Sequence, residues 1–151
     1  PGGYLEAGID VARLFLSSGV IMQQQYRGRD VESHEVERPG PLADIPLAVC
    51  VNHGSASAAE IVAGALQVAG RAPLIGAPTY GKDTIQLVFE LSDKSSLHLT
   101  AARWWVPGLT PPLGGNGLQP EILVDPPTDA AGIDLVLQAA LNFLFGEQPA
   151  P

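Results

Sequence analysis

Three groups of side chains in this sequence could carry covalent or acid–base chemistry. They are the serine pair Ser55 and Ser57 in HGSASAAEIVAGALQVAG (His53 to Gly70), the histidines His34, His53 and His98, and Lys82 in PTYGKDTIQ. The serines follow an apolar run that reads as a strand and precede a helical pattern. A serine in that position stands among unpaired backbone N–H groups at the positive end of a helix dipole, which favours an oxyanion forming beside it. Serine is also among the commonest N-caps, so one of the pair can cap while the other projects. A histidine base has no fitting partner: His53 lies too close in sequence to Ser55, and His34 and His98 fall in a polar loop and a hairpin strand. The G-x-S-x-G elbow is absent, since Ser57 or Ala59 stands where its second glycine belongs, and this argues against a Ser-His-Asp hydrolase. No H-x₃-H or C-x-x-C spacing marks a metal site. Lys82 is the other activatable group. A lysine acts as a general base only when removal from water brings its pKa well below the ordinary ~10.4. Lys82 stands behind Pro78, Tyr80 and Gly81 among apolar and aromatic neighbours; the alternative is an exposed lysine in a turn.

These residues must be positioned by the rest of a 151-residue chain, long enough for one domain with a single filled core. Apolar residues make up 46%, with 17 Gly and 14 Pro, a composition that suits a compact fold with tight turns. The net charge of −8 leaves no basic stripe to neutralise phosphates, so nucleic acid is excluded as a partner class. The single cysteine, Cys50, cannot form an internal disulfide. No apolar run reaches the ~20 residues of a membrane span, and the start at Pro1-Gly2-Gly3 reads as a fragment or processed product.

Along the chain, YLEAGIDVARLFLSS (residues 4–18) places Leu5, Ile9, Ala12 and Leu16 on one helical face, with Gly19 as the stop. GVIMQQQYR reads as a strand, and the polar, Pro-bearing stretch 28–46 as a surface loop or hairpin. PLAVCVN (Pro46 to Asn52) reads as a strand buried on both faces. Helical spacing returns from Ser57 to Val68, with Gly70 as C-cap. APLIG is a short strand. Two alternating runs joined at Ser92-Asp93-Lys94-Ser95 predict a β-hairpin, residues 109–127 are turn-rich, and residues 131–145 predict a last amphipathic helix. The alternation of helices and strands makes the fold class α/β.

At VNHGSASAAEIVAGALQVAGRAPLIGAPTYGKDTIQ the residues resemble the core signature of the C-terminal processing (tail-specific) proteases, serine peptidases with a Ser-Lys dyad. PGGYLEAGIDVARLFL resembles that family's diglycine segment and helix, and LHLTAARWWVPG with GNGLQPEI resembles its hairpin and Gly-Ile-x-Pro-Asp element, so the likeness covers nearly the whole chain. The resemblance implies a crotonase/ClpP-like α/β core, mostly parallel sheet backed by helices plus a β-hairpin. It implies Ser57 as nucleophile, Lys82 as base, Gln86 as the amide orienting that lysine, and oxyanion donors at the backbone N–H of Ala58 and of Gly2 or Gly3. A neutral amide can hold a lysine without keeping it protonated, as a carboxylate would. Ser55 is then a packing or capping serine. In a regular strand, residues four apart stand ~13 Å apart at ~3.3 Å per residue, so Gly81 to Thr84 is predicted to turn, with the strand starting near Ile85. The chain departs from the family pattern at Asp83 for the second glycine, Ala59 for a third serine and Glu121 for aspartate.

By the same resemblance, residues 1–151 form a protease catalytic core truncated on its N-terminal side, with a PDZ domain and further strands expected upstream in the parent chain. It implies polypeptide substrates presented by C-terminal tails, no cofactor or metal, a location outside the cytoplasm (periplasm, cell envelope or thylakoid lumen) and possible homo-oligomers. Two rival readings stand beside it: a non-catalytic ligand-binding module of the same fold, and a self-associating fragment that covers an exposed sheet edge.

Overall fold

The computed structural model of the chain describes residues 1–125, 127, 128 and 130–146; Pro126 of the turn-rich stretch and the last five residues of the expected domain lie outside them. In chain order the elements are α1 (Leu5–Phe15), β1 (Val20–Tyr26), β2 (Glu32–Glu35), β3 (Val49–Val51), α2 (Ala58–Val68), β4 (Leu74–Gly76), β5 (Thr84–Glu90), β6 (Ser96–Trp105), β7 (Ile122–Leu123) and α3 (Leu135–Phe145).

The fold is α/β, as expected, but its strands divide into two sheets. One is parallel, in the order β3-β4-β7; the other is antiparallel, in the order β2-β1-β6-β5. The parallel part is thus smaller than the resemblance implies, because β1 turns back on itself through β2 and takes β6 as its other neighbour. Gln23 faces Trp105 across that second ladder, and the Trp105 indole N–H donates to the Gln23 amide oxygen at 3.0 Å. The polar stretch after β1 forms the second arm of a hairpin, with Met22 opposite His34.

Helices α1 and α2 pack on each other and on β1, and supply much of the core. Ile9, Ala12 and Leu16 of the predicted α1 face are buried with Ile61, Ala65 and Leu66 of α2, Ile21 and Met22 of β1, and Trp104 of β6. Burying one such Ile or Leu side chain contributes about 1.5–3 kcal/mol. The helices approach closely at Gly8, where a methyl group would stand 2.9 Å from the Ala58 carbonyl oxygen. That contact brings the start of α1, and the diglycine before it, against the start of α2.

Two expectations change. β3 is an outer strand, not one buried on both faces: Val51 points into the core while Cys50 is exposed. The last helix begins at Leu135 rather than near residue 131, because the Asp134 side chain accepts the Leu137 N–H at 2.9 Å and caps it there. Its outer face leaves Leu137, Leu141 and Phe145 exposed.

Candidate active site

The chain leaves β3 at Val51 and enters α2 at Ala58 through a tight loop. Ser55 holds that loop: its hydroxyl accepts the Asn52 N–H at 3.2 Å, its N–H donates to the Asn52 carbonyl at 2.8 Å, and its carbonyl accepts the Tyr80 N–H at 2.9 Å. It is the packing serine the sequence suggested. Ser57 behaves differently. It is the N-cap residue of α2, shares a capping box with Glu60, and has its backbone at φ 55°, ψ −121°. A non-glycine residue with φ in that range carries strain of about 1–3 kcal/mol and persists only where its surroundings enforce it. Although the G-x-S-x-G pattern is absent, the local form is that of a serine set on a strained strand-to-helix turn.

What enforces it is Glu60, a residue the sequence reading passed over. Its carboxylate is fully buried. Oε2 accepts the Ser57 N–H at 2.8 Å and the Lys82 N–H at 3.0 Å; Oε1 accepts the Thr79 hydroxyl at 2.5 Å and the Gly81 N–H at 2.6 Å. One carboxylate therefore ties the serine turn to the lysine segment. Thr79 extends the network, its hydroxyl accepting the buried Leu118 N–H at 2.7 Å. The spacing Ser57-x-x-Glu60 at a helix start is that of a capping box, which is the signal that could have found this residue.

Gly81 permits the lysine segment to pass through. It has φ +88°, and a methyl group there would stand 2.7 Å from the Gly117 nitrogen. Residues 81–83 carry neither helix nor strand, and β5 begins at Thr84, a residue before the expected start. The register of β5 on β6 shifts between Ile85 and Gln86. With that irregular approach, Lys82 and Gln86 line one cavity of about 300 Å³ together with Ser57, Gly3, Val88 and Trp104. Lys82 is half-buried, and no carboxylate among the described residues forms an ion pair with it.

Asp83, the departure closest to Lys82, faces away. Its carboxylate lies 3.9 Å from Arg103, beside Gly114, and lines a separate depression with Trp104 and Gly28. Its backbone has no left-handed φ, and its carbonyl accepts the Trp104 N–H at 2.9 Å just ahead of β5. Glu121, another departure, accepts the Leu74 N–H at 2.7 Å and the Gln67 amide at 2.7 Å, which pins β4 to the turn-rich segment.

The diglycine reaches the same region. A methyl on Gly2 would stand 2.5 Å from the Ala56 carbonyl oxygen, 2.8 Å from the Ser57 Cβ and 3.0 Å from the Ala58 nitrogen, whereas one on Gly3 meets nothing within 4 Å. Among the described residues, the N–H groups of Ala58, Gly2 and Gly3 donate to no protein acceptor. The histidines stay apart from the site. His34 lies by Gln24 and Glu32, His98 by Ser96, and His53 borders a cavity of about 260 Å³ with Cys50 and Asp134. Among the described residues no group of three or more His, Cys, Asp or Glu is placed to hold a metal ion.

Known proteins resemble this chain in sequence and in fold. The sequence model of peptidase family S41 matches residues 1–124. A carboxyl-terminal-processing protease of Picosynechococcus is 42% identical over 98% of this chain, and carboxyl-terminal-processing peptidase 2, chloroplastic, of Arabidopsis thaliana is 47% identical over 72% of it. The chain spans 36% of the length of the first and 21% of the second. Among solved structures, the photosystem II D1 C-terminal processing protease superposes with a TM-score of 0.69 at 35% identity, covering 90% of this chain and 36% of that one. An S41 protease structure from Bacteroides fragilis shares the fold with a TM-score of 0.76 at 17% identity.

Proposed function

Because the chain belongs to peptidase family S41, we propose that it is the catalytic core of a serine endopeptidase that cuts polypeptides near their C-termini, with Ser57 as nucleophile and Lys82 as base. The observation that carries this reading is the convergence of a strained Ser57 with Lys82 and Gln86 on one cavity.

The chemistry follows from the surroundings of each group. Lys82 must be neutral to accept a proton, and both nearby carboxylates are engaged elsewhere: Asp83 with Arg103, and Glu60 with its four donors. Neutral Lys82 Nζ takes the proton of Ser57 Oγ as Oγ bonds to the substrate carbonyl carbon. The resulting oxyanion is held by the unpaired N–H of Ala58, at the positive end of α2, and by the diglycine N–H groups beside it. The ammonium of Lys82 then gives its proton to the leaving amine, which breaks the C–N bond and leaves an acyl ester on Ser57. In the second half, Lys82 deprotonates water, the ester is hydrolysed and Ser57 is restored. Gln86 orients Lys82 as a neutral partner. No step calls for a metal or an organic cofactor.

Substrates are polypeptides with unstructured, apolar C-terminal tails, and the working location is outside the cytoplasm; relatives named chloroplastic support that placement. No helix among the described residues is long and apolar enough to cross a membrane. The test is proteolysis of a loosely folded protein with an apolar tail by the full-length protein. Cleavage lost in both Ser57→Ala and Lys82→Ala supports the dyad; cleavage surviving Ser57→Ala removes the assignment and returns Ser55 to consideration.

A further inference from the structure

Lys82 and Asp83 are neighbours in the chain but belong to different cavities. Lys82 lines the cavity of about 300 Å³ that holds Ser57, whereas Asp83 lines a second one of about 540 Å³. Trp104 is the one residue that lines both, and its N–H donates to the Asp83 carbonyl at 2.9 Å. Consecutive residues of a strand point to opposite faces, and β6 follows that rule: Trp104 is buried, while the Arg103 side chain is 78% exposed. The two neighbours are held apart from both sides. The Lys82 N–H donates to the Glu60 carboxylate at 3.0 Å, and the Asp83 carboxylate lies 3.9 Å from the Arg103 guanidinium. In the second cavity Arg27 and Arg103 are the cations and Asp83 is the one carboxylate. The groups facing Lys82 are Tyr4 from the start of α1, Ser57 from the start of α2, Gln86 of β5 and Trp104 of β6, with the Glu60 carboxylate behind them filled by four donors. Asp83 is thus the carboxylate best placed to reach the base, and its ion-pair partner among the described residues is Arg103.

Resting on the peptidase reading, we infer that Arg103 is a positioning residue for catalysis: its guanidinium holds the Asp83 carboxylate in the second cavity and so keeps the base Lys82 free of an anion. The sign follows from the chemistry. A carboxylate beside Lys82 favours the ammonium, and an ammonium cannot take the Ser57 proton. An ion pair as exposed as this one adds little to stability; what it fixes is where the negative charge stands. The same pair explains how the chain carries aspartate where the family it resembles has glycine, since Arg103, opposite Thr84 in the ladder, supplies the cation. An opposite charge within ~4–6 Å displaces a titration by about one to three pH units. Asp83 is partly exposed, and solvent screening reduces this to about half to one pH unit.

The test is the pH dependence of kcat/KM between about pH 6 and pH 10, for the full-length protein cleaving a quenched fluorescent peptide with an apolar tail and no titratable side chain. Wild type, Arg103→Gln, Asp83→Asn and the double variant are compared. In Arg103→Gln the acidic limb should move up by about half to one pH unit, which is about three- to tenfold less activity at a fixed pH on that limb. The guanidinium's own field on Lys82 acts in either background. The displacement should therefore be smaller when Arg103→Gln is made together with Asp83→Asn, and the difference isolates the part carried by Asp83. A merely structural role for the pair would lower activity at every pH and leave the limb in place. An unmoved limb in Arg103→Gln, or an equal displacement in both backgrounds, overturns the inference. The peptidase reading fails on a different result, no cleavage by the wild type or cleavage by Lys82→Ala at the wild-type rate, and the inference then falls with it.

Discussion

Glu60→Gln tests whether one buried carboxylate holds the site together. Its two oxygens accept hydrogen bonds from Ser57, Thr79, Gly81 and Lys82, three of them through backbone N–H groups. A glutamine keeps one carbonyl oxygen, and its NH₂ must face two of those donors. If the NH₂ takes the Oε1 side, the Thr79 hydroxyl can turn to accept from it, and only the Gly81 N–H is left unpaired. If it takes the other side, the Ser57 and Lys82 amides both lose their acceptor. Each hydrogen bond to a charged group contributes about 1.5–3 kcal/mol, so the favoured arrangement costs about 2–4 kcal/mol, counting the weakening of the bonds that remain. In a domain of this size about 1 kcal/mol corresponds to about 2–4 °C in Tm, which places the fall at roughly 4–16 °C. Differential scanning calorimetry of the full-length protein reads this, and the rate of fluorophosphonate labelling of Ser57 should fall with it as the serine turn relaxes. A Tm lowered by less than ~2 °C, with labelling unchanged, would refute the claim that this carboxylate enforces the Ser57 backbone.

The diglycine offers a contrast: Gly2→Ala drives a methyl to 2.5 Å from the Ala56 carbonyl, whereas Gly3→Ala meets nothing within 4 Å. Gly2→Ala should lower kcat about 10²- to 10³-fold, as expected when an oxyanion donor is displaced, and Gly3→Ala should keep far more activity; steady-state kinetics showing the reverse order would contradict the placement. Although the Cys50 side chain is exposed, partial withdrawal of its sulfur from water first, and the nearby Asp134 carboxylate second, push the thiol above its ordinary pKa. Its thiolate fraction is therefore smaller than that of a free thiol at any pH below that value, so iodoacetamide should alkylate Cys50 more slowly than glutathione at pH 8, with Asp134→Asn recovering part of the rate. Faster reaction than glutathione contradicts this.

Local chemistry made the helices and the hairpin readable. The α1 face Ile9, Ala12 and Leu16 is buried as its spacing requires, and the Ser92-Asp93-Lys94-Ser95 turn joins β5 to β6 as its composition suggests. Position alone left open which of Ser55 and Ser57 packs and which projects, and the resemblance to a known family decided it. The juxtaposition of Ser57, Lys82 and Gln86 did not follow from spacing; it came from the resemblance to a known family. The division into two sheets was hidden because it depends on β1 pairing with β6, a contact between residues remote in sequence. Cys50 was misread for a similar reason: an apolar, β-branched run looks the same whether its strand is central or outer. Glu60 lay in plain view as the fourth member of Ser57-x-x-Glu60, but its reach to Thr79, Gly81 and Lys82 depends on two segments meeting in space. The orientation of Asp83 toward Arg103 was hidden because it depends on β6 lying beside the approach to β5.

The most direct test of the central claim is the site of covalent labelling by a serine-directed fluorophosphonate, read by intact mass and peptide mapping of the full-length protein. The account predicts a single adduct on Ser57 that disappears in Ser57→Ala and forms far more slowly in Lys82→Ala. An adduct on Ser55, or labelling of Ser57 at an unchanged rate without Lys82, would contradict it.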